Sequence, residues 1–274
     1  MIHEIEPNQY HVEYQNRKPD KESVILAFSS QKILVNVMDN HVKYPVFSEM
    51  GLEIDAVRYL FAVDETMFFL YIGDSEILAD GYQYENISIL RGTLPKMMDY
   101  AGVTAHQFYL WYRDHKFCGR CKNELKHDER ERMLSCDQCG NTIYPKISPA
   151  VIVAITNGDK IVMTKYAGRA YSKYALVAGF SEVGETPEMT VEREVMEEVG
   201  LKVKNIRYYK SQPWSFSGTL LLGFFAELDG DQTITLDEEE LSEAAWFQRD
   251  EIEVEPDDIS LTNEMICLFK QGGL

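Results

Sequence analysis

From Gly179 to Leu201 the chain reads G-F-S-E-V-G-E-T-P-E-M-T-V-E-R-E-V-M-E-E-V-G-L, a glycine-led turn followed by a segment crowded with carboxylates. Glu194, Glu197 and Glu198 stand at i, i+3 and i+4, so on a helix they share one face. Like charges at i, i+4 cost a helix roughly 0.2–0.5 kcal/mol per pair, so Glu194 and Glu198 work against the element that carries them. A local rule broken inside a well-specified segment points to function. Clustered carboxylates suit hard divalent cations, Mg²⁺ or Mn²⁺, which take oxygen ligands and bridge to phosphates. The competing reading is a solvated acidic face.

A second group could also hold a metal. Cys118-Gly119-Arg120-Cys121 and Cys136-Asp137-Gln138-Cys139 are two Cys-x2-Cys knuckles separated by 14 residues, the spacing of a zinc ribbon. Four thiolates close the tetrahedron around Zn²⁺, so the site is expected to be structural. Two disulfides or a redox pair are the alternatives. The lack of a secretory signal weighs against the first, and the pairing of knuckles against the second. Charges between the knuckles are mixed, which favours a structural clip over a nucleic-acid reader. His127 lies there but has no vacancy to fill. Cys267 stands apart in an apolar segment and reads as a small buried hydrophobe. His106 and His115 have no metal-spaced partner and read as structural or solvated.

Certain elements must position these groups. Thr186 is a suitable N-cap, Pro187 fits the first helical position and Glu188 adds a negative charge to the first turn. Gly200 follows the last periodic residue, where a left-handed cap is expected. Val191, Val195 and Val199 form the packed face. Gly179 is read as permitting a tight backbone turn. Strands are expected at 149–155 and 160–164 across an Asn157-Gly158-Asp159 turn, at 174–178 and at 220–228, with a last helix over 260–270. Residues 1 to about 90 read as mostly strand, including 23–28, 32–37 and a hairpin of 58–63 with 67–72. A helical stretch follows from about Leu94 to Lys116, broken near Val103-Thr104.

The 274 residues suggest two domains with a small insert. A net charge of −18 argues against a general nucleic-acid or anionic-membrane binder, though not against recognition of one nucleotide end. The acidic runs at 237–240 and 250–258 read mostly as solvated surface. No apolar run is long enough for a membrane helix. A cytoplasmic location is expected.

The acidic stretch resembles the Nudix box, G-x5-E-x7-R-E-U-x-E-E-x-G-U, at Gly179, Glu185, Arg193, Glu194, Val195, Glu197, Glu198, Gly200 and Leu201. Downstream, Ser211-Gln212-Pro213-Trp214-Ser215-Phe216-Ser217-Gly218-Thr219 resembles the S-Q-P-W-P-F-P-x-S signature of the NADH pyrophosphatase branch, with Ser215, Ser217 and Thr219 as departures. The four-cysteine ribbon upstream is similar to that branch too. The resemblance implies an α+β chain: a mainly β domain over 1–116, a zinc ribbon over 117–143 and a Nudix α/β/α sandwich over 144–274. It implies metal-dependent hydrolysis of the NAD(H) pyrophosphate to AMP and nicotinamide mononucleotide, and the same cleavage at an NAD cap on RNA. Catalytic metal ligands map to the Ala178 carbonyl, Glu194, Glu198 and Glu240. Glu197 maps to binding or positioning water at the metal, and Arg193 to an ion pair with Glu185. The general base is open among Glu194, Glu197 and Glu198. The branch further implies a homodimer in which Tyr144 and Phe180 sandwich a base, while Gln212, Pro213, Trp214, Ser215, Phe216, Ser217, Gly218 and Thr219 line the pocket. Thr262 matches a further substrate segment, and Arg91 is a candidate phosphate contact. A broader diphosphatase and a non-catalytic nucleotide-binding regulator are the alternatives.

Overall fold

The structure is a computed structural model that describes residues 1–168 and 173–273. The chain is mixed α and β and divides into two compact units. One holds residues 2–146 with 215–218; the other holds residue 1, 147–214 and 219–274. The N-terminal strands and the four-cysteine segment both lie in the first unit.

In the N-terminal unit the strands are β1 (Tyr10–His11), β2 (Val24–Leu26), β3 (Phe28–Ser29), β4 (Lys32–Met38), β5 (His41–Lys43), β6 (Val57–Val63), β7 (Thr66–Tyr71) and β8 (Gln83–Asn86). They form two sheets, β1-β6-β7-β2 and β3-β4-β5 with β8 on β4. The strand expected over 23–28 is split. β2 pairs in parallel with β7, and β3 turns to pair antiparallel with β4. The β6–β7 hairpin forms as expected, with Asp64 at φ 50° in its turn. After the short helix α1 (Phe47–Met50), α2 runs without a break from Lys96 to Asp114. The break expected at Val103-Thr104 is absent: Val103 is fully packed, and burial of this face overrides the weak helix propensity of β-branched residues. The C-terminal half of α2 supplies Trp111, Phe108 and Tyr112 to a small core with Cys118, Leu125, Leu134 and Cys136. That core carries the ribbon strands β9 (Lys126–His127), β10 (Leu134–Ser135) and β11 (Thr142–Ile143).

The C-terminal unit is built on a six-stranded sheet in the order β15-β16-β12-β13-β17, with β14 on β12. Its strands are β12 (Ser148–Asn157), β13 (Lys160–Tyr166), β14 (Val177–Phe180), β15 (Val203–Trp214), β16 (Thr219–Leu228) and β17 (Leu241–Gln248). β12 and β16 pair in parallel over nine positions, and their near-continuous apolar sequences suit strands covered on both faces. Alternation along β12 assigns those faces. Val151, Val153 and Ile155 pack with Val191, Val195 and Val199 of α3 (Pro187–Val199), whereas Ile152 and Ala154 pack with Leu261, Met265, Ile266 and Phe269 of α4 (Leu261–Lys270). The helices therefore sandwich the sheet, as expected. Among the described residues no helix is long and apolar enough to cross a membrane.

Candidate active site

The acidic helix is tied at both ends. Thr186 accepts from the Met189 amide at 3.2 Å, and Pro187 opens the first turn. At the other end Gly200 adopts φ 68°; its amide donates to Met196, and the Leu201 amide reaches the Val195 carbonyl. With Val191, Val195 and Val199 turned to the sheet, the three glutamates are not equivalent. Glu194 is 8% exposed and Glu198 2%, while the Glu197 side chain is 57% exposed. The shared acidic face is thus divided into two buried carboxylates and one solvated one.

Arg193 organises this end of the site. Its Nε and Nη2 fork the Glu185 carboxylate at 2.6 and 2.9 Å, a bidentate pair. Nη1 donates to Glu194 at 2.7 Å and Glu197 at 2.9 Å, and Nη2 also reaches the Phe180 carbonyl at 2.9 Å. Glu185 additionally accepts from the Glu182 amide and from Thr190 Oγ1, each at 3.0 Å. Thr190, fully buried, lies at a variable position of the motif, so spacing alone gave no signal for it. The Arg193 guanidinium first, then these donors, push the Glu185 carboxyl down to about 2. Burial raises Glu194 despite Arg193, with Glu197 and Glu240 adding to the rise.

These two shifts act oppositely on stability. Glu185 is lowered from 4.5, so its contribution is complete above pH 4.5 and is lost as pH falls through about 2. Glu194 is raised, so its carboxylate costs stability at neutral pH, and that cost fades on acidification. The stability advantage of wild type over Glu185→Gln is therefore expected to shrink between pH 4.5 and 2, measured by urea unfolding at fixed pH. An advantage constant over that window would contradict the ion pair.

Gly179 serves a purpose other than the expected turn. It lies in β14 opposite Val151, and a Cβ built on it would sit 1.9 Å from Cδ of Glu194. The glycine is needed because the carboxylate rests against the backbone. Ser181 donates to Pro149 at 3.1 Å, and this fixes the phase of the ladder. Gly179 faces β12, while the Ala178 and Phe180 carbonyls lie on the opposite edge, where Arg193 already uses that of Phe180. Gly179→Ala is expected to displace Glu194, lower activity by about 10²-fold and cost about 1–3 kcal/mol of stability. Steady-state kinetics and thermal melts check both.

The downstream acids are also separated by the structure. Glu243 is committed to Lys165 at 2.7 Å and to the Tyr174 hydroxyl at 2.6 Å. Glu240 is exposed, and it is the downstream acid whose charge acts on Glu194. Its carbonyl accepts from the Ala167 amide at 2.9 Å, and Asp237 in the same loop donates to the C-terminal turn of α3. The oxygen donors Glu194, Glu198, Glu240 and Ala178 are the type that Mg²⁺ or Mn²⁺ takes, and the cradle at Gly179 is one that a Cβ would fill.

The signature segment is a hairpin rather than a free loop. Trp214 ends β15 opposite Thr219 at the start of β16, leaving Ser215, Phe216, Ser217 and Gly218 as the turn, with Gly218 at φ 67°. Pro213 pairs with Leu220 in the ladder. Gln212 is fully buried, its Nε2 donates to the Ile259 carbonyl at 2.7 Å, and its Oε1 accepts from Leu261 at 2.8 Å. Both ends of the amide hold the start of α4. Ser215 and Thr219 are buried, and Arg91 lies over the Phe216 ring at 4.5 Å. Phe180 is exposed in the C-terminal unit; Tyr144 is exposed in the N-terminal unit and donates to Glu131 at 2.9 Å. Thr262 lines a cavity of about 580 Å³ on the α4 side, with Lys165, Tyr174 and Phe247. No box carboxylate lines that cavity.

The four thiols of the ribbon converge, all within 4.8 Å of one another, and none forms a disulfide. Among the described residues, this is the cluster of three or more Cys, His, Asp or Glu ligand atoms drawn that close together. The knuckles repeat one backbone pattern. Lys122 donates to Cys118 and Gly140 to Cys136, with Lys122 at φ 66° and Gly140 at φ 69°. His127 stays outside the cluster, held by Tyr14 at 3.3 Å and Tyr112 at 2.7 Å.

Comparison with known proteins matches the NUDIX domain model to residues 146–268. These residues form a NUDIX domain. The NAD-capped RNA hydrolases NudC of Escherichia coli O1:K1 / APEC and of Citrobacter koseri are each 43% identical over 155 residues, 57% of this chain and 59% of theirs. The chain thus matches under two thirds of these relatives' length. A solved NUDIX hydrolase from Nitrosomonas europaea is 24% identical with a TM-score of 0.48, covering 57% of this chain and 91% of its own. Within the NUDIX domain, Glu185, Arg193, Glu194 and Glu198 occupy the turn and helix described above.

Proposed function

We propose that the chain hydrolyses the pyrophosphate of NAD(H), giving AMP and nicotinamide mononucleotide, and cleaves the same bond at an NAD cap on an RNA 5′ end. The observation that carries the reading is the Glu194 carboxylate seated on Gly179 beside buried Glu198, with Arg193 fixing it. The relatives named NAD-capped RNA hydrolase support the choice of substrate. Mg²⁺ or Mn²⁺ held by Glu194, Glu198, Glu240 and the Ala178 carbonyl would neutralise the pyrophosphate and favour hydroxide over water as nucleophile. Arg193 orients Glu194, and Glu185 keeps Arg193 in place. Glu197, solvated yet held by Arg193, is suited to orient water at the edge of the cradle. Zn²⁺ in the four-thiol ribbon has a structural role, because four ligands leave no open position. Tyr144 and Phe180 are assigned to base stacking, and a homodimer in the cytoplasm is proposed, where free thiols persist. Sedimentation velocity tests the dimer.

One observation favours a broader diphosphatase as the second reading. Ser215 and Ser217 stand in the signature turn where the branch has prolines, so the turn carries less fixed φ. Initial rates with NADH, ADP-ribose, a dinucleoside polyphosphate and NAD-capped RNA, with products identified, separate the two. NADH and capped RNA giving AMP-ended products support the first; strong preference for ADP-ribose replaces it with the second.

A further inference from the structure

A second cavity, of about 290 Å³, lies in the N-terminal unit and outside the NUDIX domain. Tyr14, Arg17 and Lys18 reach it from the connection between β1 and β2, Arg58 and Tyr59 from the start of β6, and His127 from β9. The aromatic side is held in place. His127 lies between the hydroxyls of Tyr14 and Tyr112, its ring stacked on Tyr112 at 18°, and Tyr14 also donates to the Asp128 carbonyl at 2.9 Å. Tyr59 is fixed edge-on by Phe69 at 5.5 Å.

The cationic side is held differently. Arg17 lies over the Tyr59 ring at 5.6 Å and donates to Gln15. Arg58 donates to the carbonyls of Asp55 and Val57, at 3.5 and 3.3 Å. None of Arg17, Lys18 and Arg58 forms an ion pair among the described residues, although the chain has 45 acids against 27 lysines and arginines. In so acidic a protein, Arg17 and Arg58 bonded to neutral groups, with the exposed Lys18 at the same cavity, leave their charge available. Asp55 and Glu129 at the rim offset part of it. A guanidinium set beside tyrosine rings is the chemistry that receives a phosphate and its base together.

We propose that this cavity binds one nucleotide unit, its phosphate held by Arg17, Lys18 and Arg58 and its base laid against Tyr14. The volume is at the small end of ligand cavities, roughly 300–1,000 Å³, which suits a single unit and not a dinucleotide. The source is either a free nucleotide or one residue of a single-stranded RNA. The net charge of −18 disfavours a long basic groove, but one local cluster needs none. The inference does not rest on the hydrolase reading, since it concerns a different unit of the chain.

The test uses the full-length protein without added divalent metal. Fluorescence anisotropy follows a labelled RNA pentanucleotide, and calorimetry follows AMP. The pentanucleotide is expected to bind with log K falling against log salt at a slope of about −0.7, from the one phosphate that the three cations neutralise. R17Q/R58Q should weaken binding at least tenfold and flatten that slope. K18E, at an exposed position, should weaken it several-fold with an unchanged thermal melt. NADH hydrolysis should stay at the wild-type rate in both. AMP binding that is lost in the variants assigns a free nucleotide; pentanucleotide binding lost alone assigns a strand. No binding at low salt, or affinities unchanged in K18E and R17Q/R58Q, overturns the proposal. Loss of hydrolysis with nucleotide binding here intact would count against the enzymatic reading and leave this one standing.

Discussion

Glu198→Gln is expected to reduce kcat for NADH by about 10³-fold, within the range for loss of one positioned charged group at a reacting centre. Glu198 is 2% exposed on the face of α3 that also carries Glu194, one turn earlier. Glutamine keeps the shape and removes the charge, so the loss falls on the electrostatics of the cradle rather than on packing. If the proposed aromatic pair and hairpin hold the substrate, KM should stay within a few-fold of wild type. The thermal melt should hold or rise, because a buried carboxylate carries a desolvation cost that the amide does not. Glu197→Gln provides the contrast: its side chain is 57% exposed and bonded to Arg193, so a loss near tenfold or less is expected. Kinetics over a Mg²⁺ and Mn²⁺ series should show a raised metal requirement in Glu198→Gln alone. Retention of more than a tenth of wild-type kcat would remove Glu198 from the metal set.

What could be read in advance follows the range of the forces involved. The caps of α3 are local: Thr186, Pro187 and Gly200 act within one turn, and all three take the predicted roles. The same holds for the 157–159 turn, where Gly158 adopts φ 58°. The cysteines were legible because two knuckles with one spacing form one backbone pattern twice. What spacing did not reveal lies where the deciding partner is distant in sequence. Gln212 looks like a polar residue in a substrate signature, yet its amide is fixed by residues 47 and 49 positions away. Gly179 suggests a turn, but its lack of a Cβ answers to Glu194 on another element. In the run from Glu238 to Glu243 composition makes every acid equal. Only the sheet shows that Glu243 is paired with Lys165, while Glu240 acts on Glu194. Burial likewise distinguishes Glu197 from its neighbours, which helical spacing placed together.

Cys136→Ser is expected to have the largest effect on stability. Cys136 is 2% exposed and belongs to the core that holds Trp111, Leu125 and Leu134 against the ribbon. That core is small, and the ribbon strands have only two residues each, too few to stand alone. Ordering of residues 118–139 is therefore expected to depend on the four-thiol centre as well as on that core. A structural Zn²⁺ contributes about 10–16 kcal/mol at neutral pH, comparable to the roughly 5–15 kcal/mol that stabilises a whole domain. Replacing one thiolate by a hydroxyl, a poor zinc ligand, should abolish stoichiometric zinc and unfold the ribbon. Metal analysis should fall from one zinc per chain to none. Trypsin should cut at the lysines and arginines from Arg120 to Arg132 faster than in wild type. Trp111 gives an independent reading: it is 4% exposed and packs on the cysteine core, so its emission should shift to the red when the ribbon opens. Wild type treated with a strong chelator should reproduce the variant, because the metal and the fourth ligand act on the same equilibrium. A chelated wild type that keeps its Trp111 emission and its resistance to trypsin would mean that the aromatic core, not the metal, holds the ribbon.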